Sequence, residues 1–323
     1  MSGNGSVAAP PAAEMMLRTH ELRKSYARTR ALDGLSINVP RGSIYGFVGP
    51  NGAGKTTTMR IMATLLLPDA GEVWVDGQPL TSNTSAVRNK IGYMPDFFGV
   101  YDNLTVAEYL AFYASAYRVP TAETRHMIGE LLELVDLGSK RDELVEGLSR
   151  GMKQRLGLAR CLVHNPQVLL LDEPASGMDP RARVEMREIV KELQRLGKTV
   201  LVSSHILLEL SEMCSHIGII QGGRLIREGP VGVILSSLKA ARTVRIGLLG
   251  DLDAAADTVK RQRWVTDVQI VDGALEAAVS GEEQDLADLL HAIVEAGVRV
   301  VQFAPASNSL EEIFMQLTES EES

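Results

Sequence analysis

From Met16 onward, short apolar runs alternate with segments in which apolar residues recur at helical spacing. LRTHELRKSY and SINVP lead into SIYGFVG, an apolar strand ending on glycine, and the next run, GPNGAGKTTTMRIMATLL, takes helical spacing after its glycines. EVWVDG and IGYMPDFF follow as strand-like stretches, and residues 103–147 read as mostly helical. Within them Thr105-Val106-Ala107-Glu108 has the form of a capping box, in which hydroxyl and carboxylate each satisfy the other residue's backbone N–H. VLLLDEP and TVLVSSH have the length and apolar character of buried strands, with a charged helix over 180–196 between them. Asp179-Pro180 supplies that helix with an N-cap and the proline favoured at its first position, and Gly197 ends it. Strand and helix in alternation predict an α/β fold with a mostly parallel sheet flanked by helices.

After GPVGVIL the pattern changes. It now runs β (TVRIGLL), α (DLDAAADTVKRQ), β (VTDVQIV), β (ALEAAVS), α (EQDLADLLHAIVEAG), β (VRVVQFA), with a last capped helix from Ser309. That order predicts a small α+β ferredoxin-like domain. The expected division is a disordered tail over 1–15, a large domain over 16–234 with a helical subdomain at about 97–150, and the small domain over 235–319.

Totals remove some possibilities. With 323 residues and 45% hydrophobic content the chain can fill two cores, and its net charge of −8 gives no general attraction to nucleic acid or anionic lipid. Two cysteines, Cys161 and Cys214, lack metal-ligand spacing and read as small buried hydrophobes in a reducing compartment. The N-terminal stretch has no Lys or Arg and no apolar core, so it does not read as a signal peptide. No apolar run approaches the roughly eighteen residues of a membrane span, so a membrane role would come from a partner.

The chemistry is concentrated in a few motifs. GPNGAGKT fits G-x-x-x-x-G-K-[ST] and lies between a strand and a helix, the setting a phosphate-binding loop needs. Gly49, Pro50, Asn51, Gly52, Ala53 and Gly54 would wrap the phosphates with backbone N–H groups, Lys55 would reach the β/γ oxygens, Thr56 would ligate Mg²⁺ and Thr57 another phosphate. Asp172, at the end of a buried strand, would hold Mg²⁺ or its waters. Glu173, next along, would then be free to orient and deprotonate water. Two adjacent acids can also be a solvated strand end, and a histidine closing a strand is often a packing residue. Beside a phosphate loop, Glu173 as base and His205 as a γ-phosphate contact are the better assignments, since ligands of open α/β sheets gather at one strand edge.

Taken in order, GPNGAGKT, IGYMPD, LSRGMKQR, LLLDEP, SGMD and SSH resemble the nucleotide-binding subunit of an ATP-binding cassette (ABC) transporter, over about residues 17–232. The resemblance implies a P-loop NTPase of ABC type, its mostly parallel sheet preceded by an antiparallel β part and joined by a helical signature subdomain, that binds ATP and Mg²⁺ and hydrolyses ATP. It implies that Ser149 and Gly151 hold the γ-phosphate of ATP bound to the Lys55 of a second copy or of a paralogous ATPase subunit. Tyr26 would stack on adenine, and the loop 176–179, ending in Asp179, would cross the dimer interface. A polytopic membrane permease would be the other partner, holding the chain at the cytoplasmic face of the membrane, with Phe97, Phe98 and Tyr101 as the socket for its coupling helix. The C-terminal unit resembles the extension of drug, polysaccharide or ion exporters.

Two positions depart from the family pattern. Asp96 stands where glutamine is common, in the loop that senses Mg²⁺ and the attacking water; it can ligate a hard cation but cannot donate a hydrogen bond, which implies retained activity with altered Mg²⁺ dependence. The signature reads LSRGM rather than LSGGQ, with Arg150 either adding charge near the triphosphate or facing solvent. ABC ATPases that act on nucleic acid or in translation and repair form the competing class. They usually carry two cassettes, a long coiled coil or zinc-binding cysteines, none of which this sequence has. A catalytically silent regulatory partner is opposed by the intact Lys55, Asp172, Glu173 and His205.

Overall fold

The computed structural model describes residues 14–27, 29–80, 84–96, 99, 103–280 and 283–305. Residues 1–13 of the expected N-terminal tail, the helix from Ser309, and Phe97, Phe98 and Tyr101 lie outside them; Met15, placed in that tail, instead opens a strand and is buried because it packs into the core. The chain divides into two compact units, one ending at Pro230 and one starting at Val231.

The first unit is organised by a six-stranded sheet in the order Arg224–Pro230, His216–Gln221, Ile44–Val48, Thr199–Ser204, Val168–Asp172, Ile91–Met94. All neighbours are parallel except the first pair, which is an antiparallel hairpin. Every residue of Ile44–Val48, Val168–Asp172 and Thr199–Ser204 is buried, as befits strands covered on both faces. A second, antiparallel sheet is built around the long strand Met15–Tyr26, flanked by Thr29–Leu35, Asn38–Pro40 and Ala70–Val75. Leu17, Leu32, Phe47, Met59, Val75 and Leu170 belong to one apolar core that joins the two sheets and the helix Lys55–Met62.

That helix is shorter than the apolar spacing through Leu66 predicts. Thr64 takes a left-handed φ of 64°, and the N–H of Leu65 closes back on the Arg60 carbonyl at 2.9 Å, a C-terminal cap that turns the chain out of the helix.

Helices Val106–Ala116 and Thr121–Leu134 pack beside Arg150–Leu162. The predicted capping box is formed: the Thr105 hydroxyl accepts the Glu108 N–H at 3.2 Å, and the Glu108 carboxylate accepts the Thr105 N–H at 2.8 Å. Thr105→Ala breaks one half of this exchange, and the expected outcome is a melting temperature lower by about 2–4 °C with nucleotide binding unchanged, measurable by calorimetry.

The second unit has the strand order Val265–Val271, Ala274–Ser280, Ala241–Leu249, Arg299–Pro305, every pair antiparallel. With helices Leu252–Lys260 and Glu283–Glu295 it forms the ferredoxin-like arrangement anticipated from element order, on its own core of Val244, Ile246, Val259, Leu275, Leu289 and Ile293. Both cysteines are buried and free, and burial pushes their thiols up, so they stay protonated and act as packing groups. Among the described residues no helix is long and apolar enough to cross a membrane.

Candidate nucleotide site

Strand Ile44–Val48 delivers the chain into the phosphate loop, and helix Lys55–Met62 starts directly after it. Gly54, before the helix, has a φ of 108°, and a Cβ there would stand 2.6 Å from the Ala31 carbonyl oxygen. No other residue type combines that backbone with that approach. Lys55 is buried, and its Nζ donates to the carbonyl oxygens of Gly49 at 2.6 Å and Pro50 at 3.2 Å, which holds the ammonium inside the loop.

The neighbouring strands bring two acids to the same edge. Asp172 is fully buried; its Oδ1 accepts the Ser203 hydroxyl at 2.7 Å, while its Oδ2 has no hydrogen-bond partner among the described residues. A buried carboxylate oxygen left bare is costly unless a cation or donor comes to it. Burial, then the charge of Asp172, pushes the nearby Tyr93 phenol up to about 12, so it remains protonated.

Glu173 leaves the strand with a φ of 48°, a left-handed conformation that costs about 1–3 kcal/mol in a residue that is not glycine. Its N–H donates to the Ser203 Oγ at 3.0 Å. One hydroxyl therefore fixes both acids, donating to Asp172 and accepting from Glu173. The turned backbone sends the Glu173 carboxylate to His205 Nδ1, 3.1 Å from Oε2, and to Lys55 Nζ, 3.5 Å from Oε1.

A cavity of about 450 Å³ collects these groups: Tyr26, residues of the phosphate loop including Lys55, Thr56 and Thr57, and Asp96, Glu173 and His205 all line it. Tyr26 is 45% exposed at the end of its strand, with the Lys24 ammonium over its ring, 6.0 Å from the centroid. Asp96 lies at the exposed rim.

Asp172, Ser149, Gly151 and Asp179 do not line that cavity. Ser149 caps helix Arg150–Leu162, its Oγ accepting the Met152 N–H at 3.3 Å, which leaves the hydroxyl proton available to an anion. Gly151 packs on Met178 and Ala182, where an added Cβ would stand 3.2 Å from the Ala182 Cβ. Asp179 caps helix Pro180–Arg195, Oδ1 accepting the Ala182 N–H at 3.0 Å. Arg150 takes the second course left open by the sequence: it is solvent-exposed, with its guanidinium lying against Gly177 of the same chain in the place a Cβ would take.

Sequence reasoning missed Ser203 as the group that sets both acids. The signal was present, since Ser203 is the first polar residue after the apolar run Val200-Leu201-Val202 in a strand buried throughout.

A phosphate loop, a bare buried aspartate, and a glutamate held between lysine and histidine at one strand edge define a nucleoside triphosphatase of the P-loop class. Residues 32–176 match the family model described as ABC transporter, and residues 235–318 match that of the C-terminal domain of DrrA1-3-like ATP-binding proteins. The chain is 36% identical over 305 residues to the daunorubicin/doxorubicin resistance ATP-binding protein DrrA of Streptomyces peucetius, covering 94% of this chain and 92% of that protein. It is 35% identical to the bacitracin transport ATP-binding protein BcrA of Bacillus licheniformis, covering 94% and 97%. Among solved structures it resembles cbiO1 of Clostridium perfringens, with a TM-score of 0.63, 27% identity, and coverage of 69% of this chain and 91% of that one. It also resembles the dimeric post-hydrolysis state of the ATP-binding cassette MJ0796 bound to ADP and Pi, with a TM-score of 0.61, 26% identity, and coverage of 67% and 99%. The chain belongs to the ABC transporter family, as one of its ATP-binding, ATP-hydrolysing subunits.

Proposed function

We propose that this ATPase powers an exporter by closing head to tail on a second copy, or on a paralogous subunit, with two ATP molecules between them. Each phosphate loop would face the Ser149 and Gly151 of the other chain, and Asp179 would sit in the loop that crosses the interface. What carries this reading is the division of the motif residues: one cavity gathers Tyr26, the loop, Asp96, Glu173 and His205, while Ser149 and Gly151 of the capped signature helix stand outside it.

Within that site Tyr26 stacks on the base, and the loop N–H groups with Lys55 hold the phosphates. The bare Oδ2 of Asp172 and the hydroxyl of the exposed Thr56 suit a hard divalent cation, and Asp96 lines the same cavity as Thr56. Mg²⁺ held there would offset phosphate charge. Glu173 accepts the proton of the attacking water, and His205, on its far side, keeps the carboxylate aimed and reaches the terminal phosphate. Closing shifts population because ATP binds the closed pair better than the open one, and hydrolysis removes that preference.

The relatives named for daunorubicin/doxorubicin resistance and bacitracin transport support export, and a polytopic permease would carry the substrate path and hold this chain at the cytoplasmic face of the membrane. Purification from its native host tests the proposal. The chain is expected to come out of detergent extracts with a polytopic membrane protein whose presence changes its ATPase rate. Recovery without one, together with steeply salt-dependent DNA or RNA binding, would defeat it.

A further inference from the structure

Arg183, in helix Pro180–Arg195, holds two segments at once. Its Nε donates to the Met178 carbonyl at 3.1 Å, and its Nη1 donates to Glu209 Oε1 at 2.7 Å. The other oxygen of Glu209 accepts the Ser204 hydroxyl at 3.4 Å, and the Ser204 Oγ accepts the Ile206 N–H at 3.0 Å. The turn bearing His205 is thus pinned on both sides, and His205 itself meets Glu173 at 3.1 Å. These groups surround a second small cavity of about 150 Å³, lined by Glu173, Gly177, Arg183, Ser204, His205 and Glu209. At its other end the loop 176–179 carries the Arg150 guanidinium of the signature helix on Gly177.

We infer that Arg183 and Glu209 are positioning residues that pass the placement of the loop 176–179 to His205, and through it to Glu173. The inference rests on the roles proposed above for those two residues. As charges alone the pair would contribute little, because both side chains are partly exposed, 41% for Arg183 and 26% for Glu209. Direction is what the planar guanidinium adds: its fork fixes the angle between a backbone carbonyl on one side and a carboxylate on the other, which a lysine could not do. Movement of the signature helix would reach Gly177 through Arg150, and Arg183 would convert it into rotation of the histidine turn.

The test uses the full-length chain, with ATPase kinetics and the histidine ring resonances of its six histidines by NMR, His205 being assigned with His205→Gln. Arg183→Ala is expected to lower kcat about 3–30-fold with KM for ATP within about twofold, and to displace the His205 resonance. Glu209→Gln, which keeps its volume, should do the same from the other end and covers the case in which Arg183→Ala folds poorly. The double variant should lose no more than the worse single one, since the two residues act as one unit. An unchanged kcat, a loss confined to KM, or a His205 resonance that does not move would overturn the inference. Wild-type kcat in His205→Gln would sink the underlying role of that histidine; loss in His205→Gln with none in Arg183→Ala would sink the inference alone.

Discussion

Glu173→Gln is expected to lower steady-state ATP turnover by about 10²–10⁴-fold while leaving ATP affinity within a few-fold of wild type. The amide has the shape of the carboxylate, so the approach to Lys55 and the contact with His205 can persist, and the backbone of residue 173 is asked for nothing new. What is lost is the capacity to take a proton from water. With ATP bound and hydrolysis blocked, the closed pair should accumulate, visible as an ATP-dependent dimer by size exclusion with light scattering. ADP should not produce it. Normal turnover in this variant would remove Glu173 from its role as base.

The second large effect concerns two chains rather than one. Ser149→Arg places a bulky cation at the helix start where a small hydroxyl caps the Met152 N–H, and Lys55→Ala removes the ammonium held by the Gly49 and Pro50 carbonyls. Each variant alone is expected to be nearly inactive. Mixed in equal amounts and allowed to exchange, they should recover about a quarter of the wild-type rate, because half the dimers are mixed and each of those has one intact site. If mixed dimers form and activity does not return, Ser149 does not serve the Lys55 of a neighbouring chain.

How much of this was legible in the sequence depends on the range of the interaction. GPNGAGKT could be read because the glycines, the strand before and the helix after are all local, and Asp179-Pro180 and the Thr105–Glu108 box are local for the same reason. The ferredoxin-like unit followed from the order of elements alone, since the antiparallel pairing of its strands admits few arrangements. Ser203 was hidden because its partners, Asp172 and Glu173, are about thirty positions away and only parallel pairing of the two strands brings them together. The link from Arg183 to Glu209 also spans two elements and leaves no periodic trace. Arg150 could not be placed, since a charged residue opening a helix has several directions available, and the choice was made by a glycine in another loop.

The twist in the backbone at residue 173 has a consequence for how this protein responds to selection. The conformation there suits glycine or asparagine better than glutamate, so the native side chain is retained against a local preference of the fold. A population of variants screened only for endurance to heat should discard that glutamate early. The same population screened for ATP turnover should keep it, however much sturdier the alternatives prove.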